Sequence, residues 1–183
     1  MSEATATKTE LNTTVRRTHA SRTGPGEGRA YWFFGSLAVI RSPEGARPIV
    51  IEITVPPGET TPLHIHTRLE DSFYLLSGRL AVRSGDTTFV ARAGDYVSEP
   101  AGVPQTLYAL DGKPAVLLQT HAEDDFLNFI QQAGIPVVDR NQPPAGPLDF
   151  DKLFEIAAAT GQNVIGPPMN LAEAEKIASA AQE

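Results

Sequence analysis

The sequence predicts an all-β barrel or sandwich of short strands, followed by a helical C-terminal part. Short apolar, β-branched segments alternate with turn clusters from about residue 30 to 121, as in sandwiches and barrels. No segment of helical period interrupts them, and only after residue 122 does the apolar spacing lengthen to that of amphipathic helices. A chain of 183 residues is long enough to bury one proper core.

Residues 1–28 are rich in Thr, Ser, Ala, Gly and charge, with little to bury, and read as a flexible arm. Residues 31–42 (YWFFGSLAVIRS) are aromatic and β-branched and read as the first strand. Pro43, Gly45 and Pro48 turn the chain, residues 49–55 form the next strand, and Pro56-Pro57-Gly58 ends it. Glu52 lies in the middle of that strand. On the inner face it is a candidate acid or base, and on the outer face it is solvated.

Residues 73–76 extend, and Ser77-Gly78 turns them. Residues 80–83 and 87–92 form a hairpin around Ser84-Gly85-Asp86. Residues 96–99 extend, Pro100-Ala101-Gly102 bends the chain, and residues 105–110 and 115–121 are the last strands. This gives an arm at 1–28, a barrel at 29–122 and a helical extension at 123–183. In the extension Phe126, Phe129, Ile130 and Ala133 recur at helical spacing behind the acidic first turn Glu123-Asp124-Asp125, and Gly134 stops them. A Pro-rich link over 135–148 leads to a second helix carrying Phe150, Leu153, Phe154 and Ala157, ended by Gly161. Gly166-Pro167-Pro168 breaks the chain again, and Asn170 caps a third helix over about 171–181. The aromatic faces read as packing surfaces, for the barrel or for a partner subunit.

The net charge of −7 argues against a nucleic-acid groove, and no block of like charge marks a membrane tail. The absence of Cys removes disulfides, thiolate ligands and a Cys nucleophile. No apolar segment approaches bilayer-spanning length, and the N-terminus lacks a leader-like apolar run, so the expected location is the cytoplasm.

The chemistry concentrates in PGETTPLHIHTRLEDSFYLLSGRL, residues 57–80. His64 and His66 are two apart in a β-prone stretch, so both imidazoles leave one face, with roots roughly 6–7 Å apart. Such a pair can converge on one ion. Glu70 and Asp71 follow closely enough to supply an oxygen ligand, and two imidazoles with a carboxylate suit iron, manganese, nickel or zinc. His121 ends its strand on the same face as Gln119. That face, if interior, makes the pair a substitute ligand or a proton shuttle, and otherwise His121 is a rim residue.

Gly58, five residues, His64-x-His66, a carboxylate and Gly78 resemble the first cupin motif. Gly94, Pro100 and Gly102 resemble the second, with Gln105 where that motif has His. The C-terminal part is similar to that of small bacterial cupins related to quercetin 2,3-dioxygenase. The resemblance implies a double-stranded β-helix (jelly-roll) and one divalent metal held by His64, His66 and a carboxylate, with Gln105 as a weak fourth ligand. Counting back from Gly78, the pattern's Glu falls on Asp71, while Glu70 has the longer arm. Lining from Phe33, Phe73, Leu75, Leu107 and Leu117 is implied, as is a homodimer. Some cupins use Gln as a ligand in redox-neutral reactions. Three functions are therefore open: dioxygenase chemistry on a phenolic, enolic or polyketide-like molecule, redox-neutral tailoring in secondary metabolism (cyclase, isomerase, dehydratase or lyase), and non-catalytic binding of a small molecule.

Overall fold

A computed structural model describes residues 18–146 and 149–181. Most of the arm expected at 1–28 lies outside the described residues. Its last part is tied down: Arg41 Nη1 donates to Gly24 O at 2.8 Å, and Thr23 Oγ1 donates to Arg41 O at 2.8 Å.

The strands are β1 (Arg29–Phe33), β2 (Ser36–Ile40), β3 (Ile49–Val55), β4 (Leu63–His66), β5 (Asp71–Ser77) and β6 (Arg79–Ser84). They continue as β7 (Thr87–Arg92), β8 (Tyr96–Glu99), β9 (Gln105–Ala109), β10 (Ala115–His121), β11 (Ile135–Pro136) and β12 (Gln162–Gly166). The helices are α1 (Asp125–Ala133), α2 (Phe150–Ala159) and α3 (Leu171–Ala180). One sheet has the order β11-β1-β2-β3-β10-β5-β8 and the other β12-β4-β9-β6-β7. All strand pairs are antiparallel, as in a double-sheet jelly roll.

Two departures from the sequence reading matter for the site. The stretch 31–42 is not one strand, because Phe34 (φ 45°) and Gly35 (φ 76°) make a two-residue turn between β1 and β2. Positive φ at both central residues matches the twist of a tight hairpin. Gly35 pays no steric cost there, whereas Phe34 does. The C-terminal extension is also not purely helical. β11 adds to the edge of one sheet, and β12 pairs with β4, the strand that carries His64 and His66.

The core lies between the sheets. Ile51, Ile53 and Val55 alternate inward on β3, and Phe73, Leu75 and Leu117 join them from β5 and β10. Each such side chain contributes about 1.5–3 kcal/mol by leaving water. Gly78 makes the turn from β5 to β6 at φ 82°, where a Cβ would stand 2.6 Å from Pro114 O and 2.7 Å from Ala115 Cα. Only glycine fits that close approach. α1 turns Phe126, Phe129 and Ile130 onto the barrel, and α2 turns Leu153 and Ala157 inward while Phe150 and Phe154 stay exposed.

Candidate functional site

A cavity of about 90 Å³ opens between the sheets, with room for several waters or part of a compact ligand. Its walls are mainly apolar: Phe33 and Phe34 from the β1–β2 hairpin, Phe73 from β5, Leu107 from β9, Leu117 from β10, and Phe126 and Phe129 from α1. Four of the expected lining residues, Phe33, Phe73, Leu107 and Leu117, are at the wall, as is Gln119. Leu75 is not, since it is wholly buried in the core, paired in register with Leu117. Phe126 and Phe129 are added by tertiary folding, because helical spacing reveals an apolar face but not what that face covers.

The polar groups gather at one end. β4 brings His64 and His66 together, with their Nε2 atoms 3.2 Å apart. His64 Nδ1 is 2.8 Å from Pro62 O, so Nδ1 carries the proton and Nε2 presents a lone pair. His66 Nε2 is 3.5 Å from Asp71 Oδ2. Two donors each about 2.1 Å from one ion stand roughly 3.0–3.4 Å apart, so the spacing of the two imidazoles matches a pair of ligands around a common centre, with Asp71 just beyond that range. Burial pulls His64 below its usual pKa. It pulls His66 down to about 4, against the opposing pull of Asp71 and with small further lowering from His64 and His121. Both imidazoles are thus neutral near pH 7, the form that binds a cation.

Asp71 is the carboxylate that faces this centre. It is buried, whereas Glu70 is exposed and accepts a hydrogen bond from Ser98 Oγ at 2.6 Å. The Glu70 alternative is therefore corrected: adjacent strand residues point to opposite faces, and the register of β5 turns Asp71 inward. Gln105, the cross-strand partner of His64, donates Nε2–H to Asp71 Oδ2 at 3.1 Å. Its carbonyl Oε1 is buried without a partner, an oxygen that a cation would satisfy. Gln119 Nε2 donates to the other carboxylate oxygen, Oδ1. Counting only His, Cys, Asp and Glu, no group of three or more described side chains is arranged to hold a metal ion. The set depends on the Gln105 amide where the cupin motif has an imidazole.

His121 is not a rim residue. Its side chain is wholly buried, with Nε2 3.7 Å from Asp71 Oδ1, and its ring lies 4.9 Å from that of Phe126. Burial pulls its pKa down too, and neither ring nitrogen has a hydrogen-bond partner. Glu52 is absent from the site. It faces outward and takes a two-pronged bond from Arg41, Nη2 to Oε1 at 2.9 Å and Nε to Oε2 at 3.2 Å. The even positions of β3 are the half-buried ones, so its placement follows from the strand's alternation.

Two polar side chains at the cavity wall were not anticipated. Glu99 on β8 is buried beside Asp71, its cross-strand partner. Burial, reinforced by the Asp71 charge, pushes its carboxyl up to about 8, so it keeps its proton at pH 7. Gln162 on β12 is the cross-strand partner of His66 and is also buried. The period-2 pattern could have flagged Glu99, which shares a face with Val97 on its strand. Nothing local could have flagged Gln162, whose segment joins the sheet only through β4.

Residues 51–121 match the family described as Cupin domain. This part of the chain is a cupin domain. Its limits run from β3 to the end of β10 and enclose His64, His66, Asp71, Glu99, Gln105, Gln119 and His121. The chain is 24% identical over 122 residues to quercetin 2,3-dioxygenase of Bacillus subtilis (strain 168), a stretch covering 65% of this chain and 36% of that protein. The chain thus spans about a third of the length of that relative. Among solved structures, an RmlC-like cupin from Shewanella frigidimarina NCIMB 400 superposes with a TM-score of 0.49 at 20% identity, over 58% of this chain and 96% of that one. The Cnp3 cupin domain of Schizosaccharomyces pombe gives 0.46 at 21% identity, over 52% and 66%. No described helix is long and apolar enough to cross a membrane.

Proposed function

We propose that the cupin domain is a metal-dependent enzyme acting on a small phenolic, enolic or polyketide-like molecule, with quercetinase-type dioxygenase chemistry. The observation that carries this reading is the position of Asp71. Its carboxylate is held on both oxygens by amide donors, Gln105 and Gln119, next to two neutral imidazoles at the end of an aromatic cavity. His64, His66, Asp71 and Gln105 would hold one divalent ion, iron, manganese, nickel or zinc. When bound, the ion supplies Lewis acidity toward a substrate oxygen.

The remaining roles belong to the chain itself. Phe33, Phe73, Phe126 and Phe129 bind the apolar body of the substrate and exclude water. Asp71 accepts the proton released from the substrate hydroxyl, and Gln119 keeps the carboxylate oriented while it does so. His121, buried behind Asp71 with Nε2 3.7 Å from Oδ1, is placed to pass that proton on.

Redox-neutral chemistry of the cyclase, isomerase, dehydratase or lyase type is the second reading, and a specific observation favours it. A protonated Glu99 directly across the strand pair from the Asp71 carboxylate sets an acid next to a base. Gln105 in place of an imidazole points the same way. Oxygen uptake by protein reconstituted anaerobically with each metal, over a phenolic and enolic panel, separates the two. Consumption of oxygen in step with product supports the dioxygenase reading, and product formation at the full rate without oxygen replaces it with the second.

The assembly we propose is a homodimer. Phe150, Phe154 and Ile135 are exposed around an apolar groove, more uncovered aromatic surface than a small barrel requires. A dimeric mass by light scattering at micromolar concentration is expected, and a monomeric mass rules it out.

A further inference from the structure

Two buried polar side chains of the cavity have atoms with no partner and no part in the ligand set. Glu99 is 3% exposed and its Oε1 has no hydrogen-bond partner. Gln162 is 4% exposed and its Nε2 has none. Both line the cavity. A buried donor or acceptor left unmade costs about 1–3 kcal/mol. Such a cost persists where a bound molecule removes it.

Their placement is paired. Glu99 is the cross-strand partner of Asp71 in the seven-stranded sheet, and Gln162 is the cross-strand partner of His66 in the five-stranded sheet. Directly opposed residues of an antiparallel pair share a face, with Cβ atoms about 4.5–5.5 Å apart. The two orphans therefore flank the Asp71–His66 centre from opposite walls. Gln162 offers an amide N–H, which requires an acceptor oxygen. Glu99 offers a carboxyl oxygen, which bonds a hydroxyl. The walls between them are aromatic, with Phe33, Phe73 and Phe126 among them.

We propose that Glu99 and Gln162 are the substrate-orienting pair of this site, and that they select an aromatic molecule bearing both a hydroxyl, taken by Glu99, and a carbonyl, taken by Gln162. This rests on the proposed function for the location of the site and extends it to substrate class. A molecule with only one of the two oxygens leaves one orphan unsatisfied. Sites built to bond a given polar group discriminate strongly against analogues that lack it.

The test uses the full chain freed of metal with a chelator, so that a failed metal or turnover assignment leaves the result readable. The probes are the isomers of hydroxyacetophenone, with phenol and acetophenone as single-function controls, titrated by ligand-observed NMR. We expect one isomer to bind at least about tenfold tighter than either control. Glu99→Leu should bring its affinity down to that of acetophenone, and Gln162→Leu down to that of phenol. Both substitutions remove a buried unsatisfied group, so the thermal midpoint of the empty protein should rise as binding falls. Glu99→Gln and Gln162→Glu, close in shape, check that packing is not the cause, and the wild-type chemistry at each position should bind best. The proposal is overturned if no isomer exceeds both controls, if the Leu variants bind it as the parent does, or if lost binding is accompanied by a lower midpoint, which would mark a structural role.

Discussion

Gln119 Nε2 and Asp71 Oδ1 are 2.5 Å apart, a buried amide–carboxylate hydrogen bond between neighbouring strands β10 and β5. A charged acceptor makes such a bond short and strong. It leaves Oδ2 as the oxygen that meets His66 and Gln105. Gln119→Leu should therefore leave the proposed ligands in place but free Asp71 to rotate. Loss of a supporting partner of this kind costs about 10–100-fold in metal affinity. Competition with a coloured chelator measures it, and an unchanged affinity would remove Gln119 from its supporting role.

Restoring an imidazole at position 105 tests the weakest part of the proposed metal set. Gln105→His replaces an amide oxygen by a ligand better suited to Fe²⁺, Ni²⁺ and Zn²⁺. The expected outcome is affinity for these ions at least about tenfold above that of the parent, by the same competition assay. Equal affinities would mean that residue 105 does not reach the ion.

Glu99 makes a signed prediction about pH. Its carboxyl is pushed from 4.5 in the unfolded chain to about 8 in the folded one, first by burial and then by Asp71. Between those values the folded state binds the extra proton, so this contribution to stability is complete below about 4.5 and is lost as pH rises toward 8. Glu99→Gln removes the titration. Urea unfolding of the chelator-treated proteins should show the variant gaining on the parent steadily as pH rises through that window. Parallel pH profiles would mean that Glu99 is ionised in the folded state.

The turn at Gly78 predicts a large effect from a small change. Gly78→Ala places a Cβ 2.6 Å from Pro114 O at a backbone φ of 82°. Displacing backbone in this way should cost about 1–3 kcal/mol or more. Urea denaturation reads it as a lower midpoint at unchanged slope, whereas an unaltered midpoint would show that the turn relaxes freely.

Covering the cavity predicts an effect of a different kind. Phe129 is buried and lines the cavity from α1, which packs on the barrel from outside it. Phe129→Ala should destabilise by about 3–5 kcal/mol through lost burial and an enlarged cavity. Binding of the aromatic probes should weaken as well. A loss well below that range, with binding intact, would mean that α1 seals the cavity without Phe129.

What the sequence determined by itself is what local chemistry encodes. Period-2 alternation and Gly/Pro punctuation located the strand segments, and helical spacing located α1 and α2. The interval from His64 through His66 to Gly78 pointed to the candidate site, because two residues apart on a strand means one face. The same locality explains what was missed. Glu70 and Asp71 differ by one position, and only the pairing of β5 with β8 decided which faces inward. The reading of 31–42 as one strand passed over Gly35, because a two-residue turn disturbs alternation too briefly to show. Gln162 reaches His66 only because β12 returns from the helical region to pair with β4. Glu99 shares the inward face of its strand with Val97, but only the pairing of β8 with β5 set it beside Asp71. A buried polar group draws its proton affinity and its lack of partners from the walls around it, and those walls come from chain segments far apart in sequence. The positions of the histidines were thus local information, while the electrostatics and shape of the cavity around them belonged to the tertiary structure.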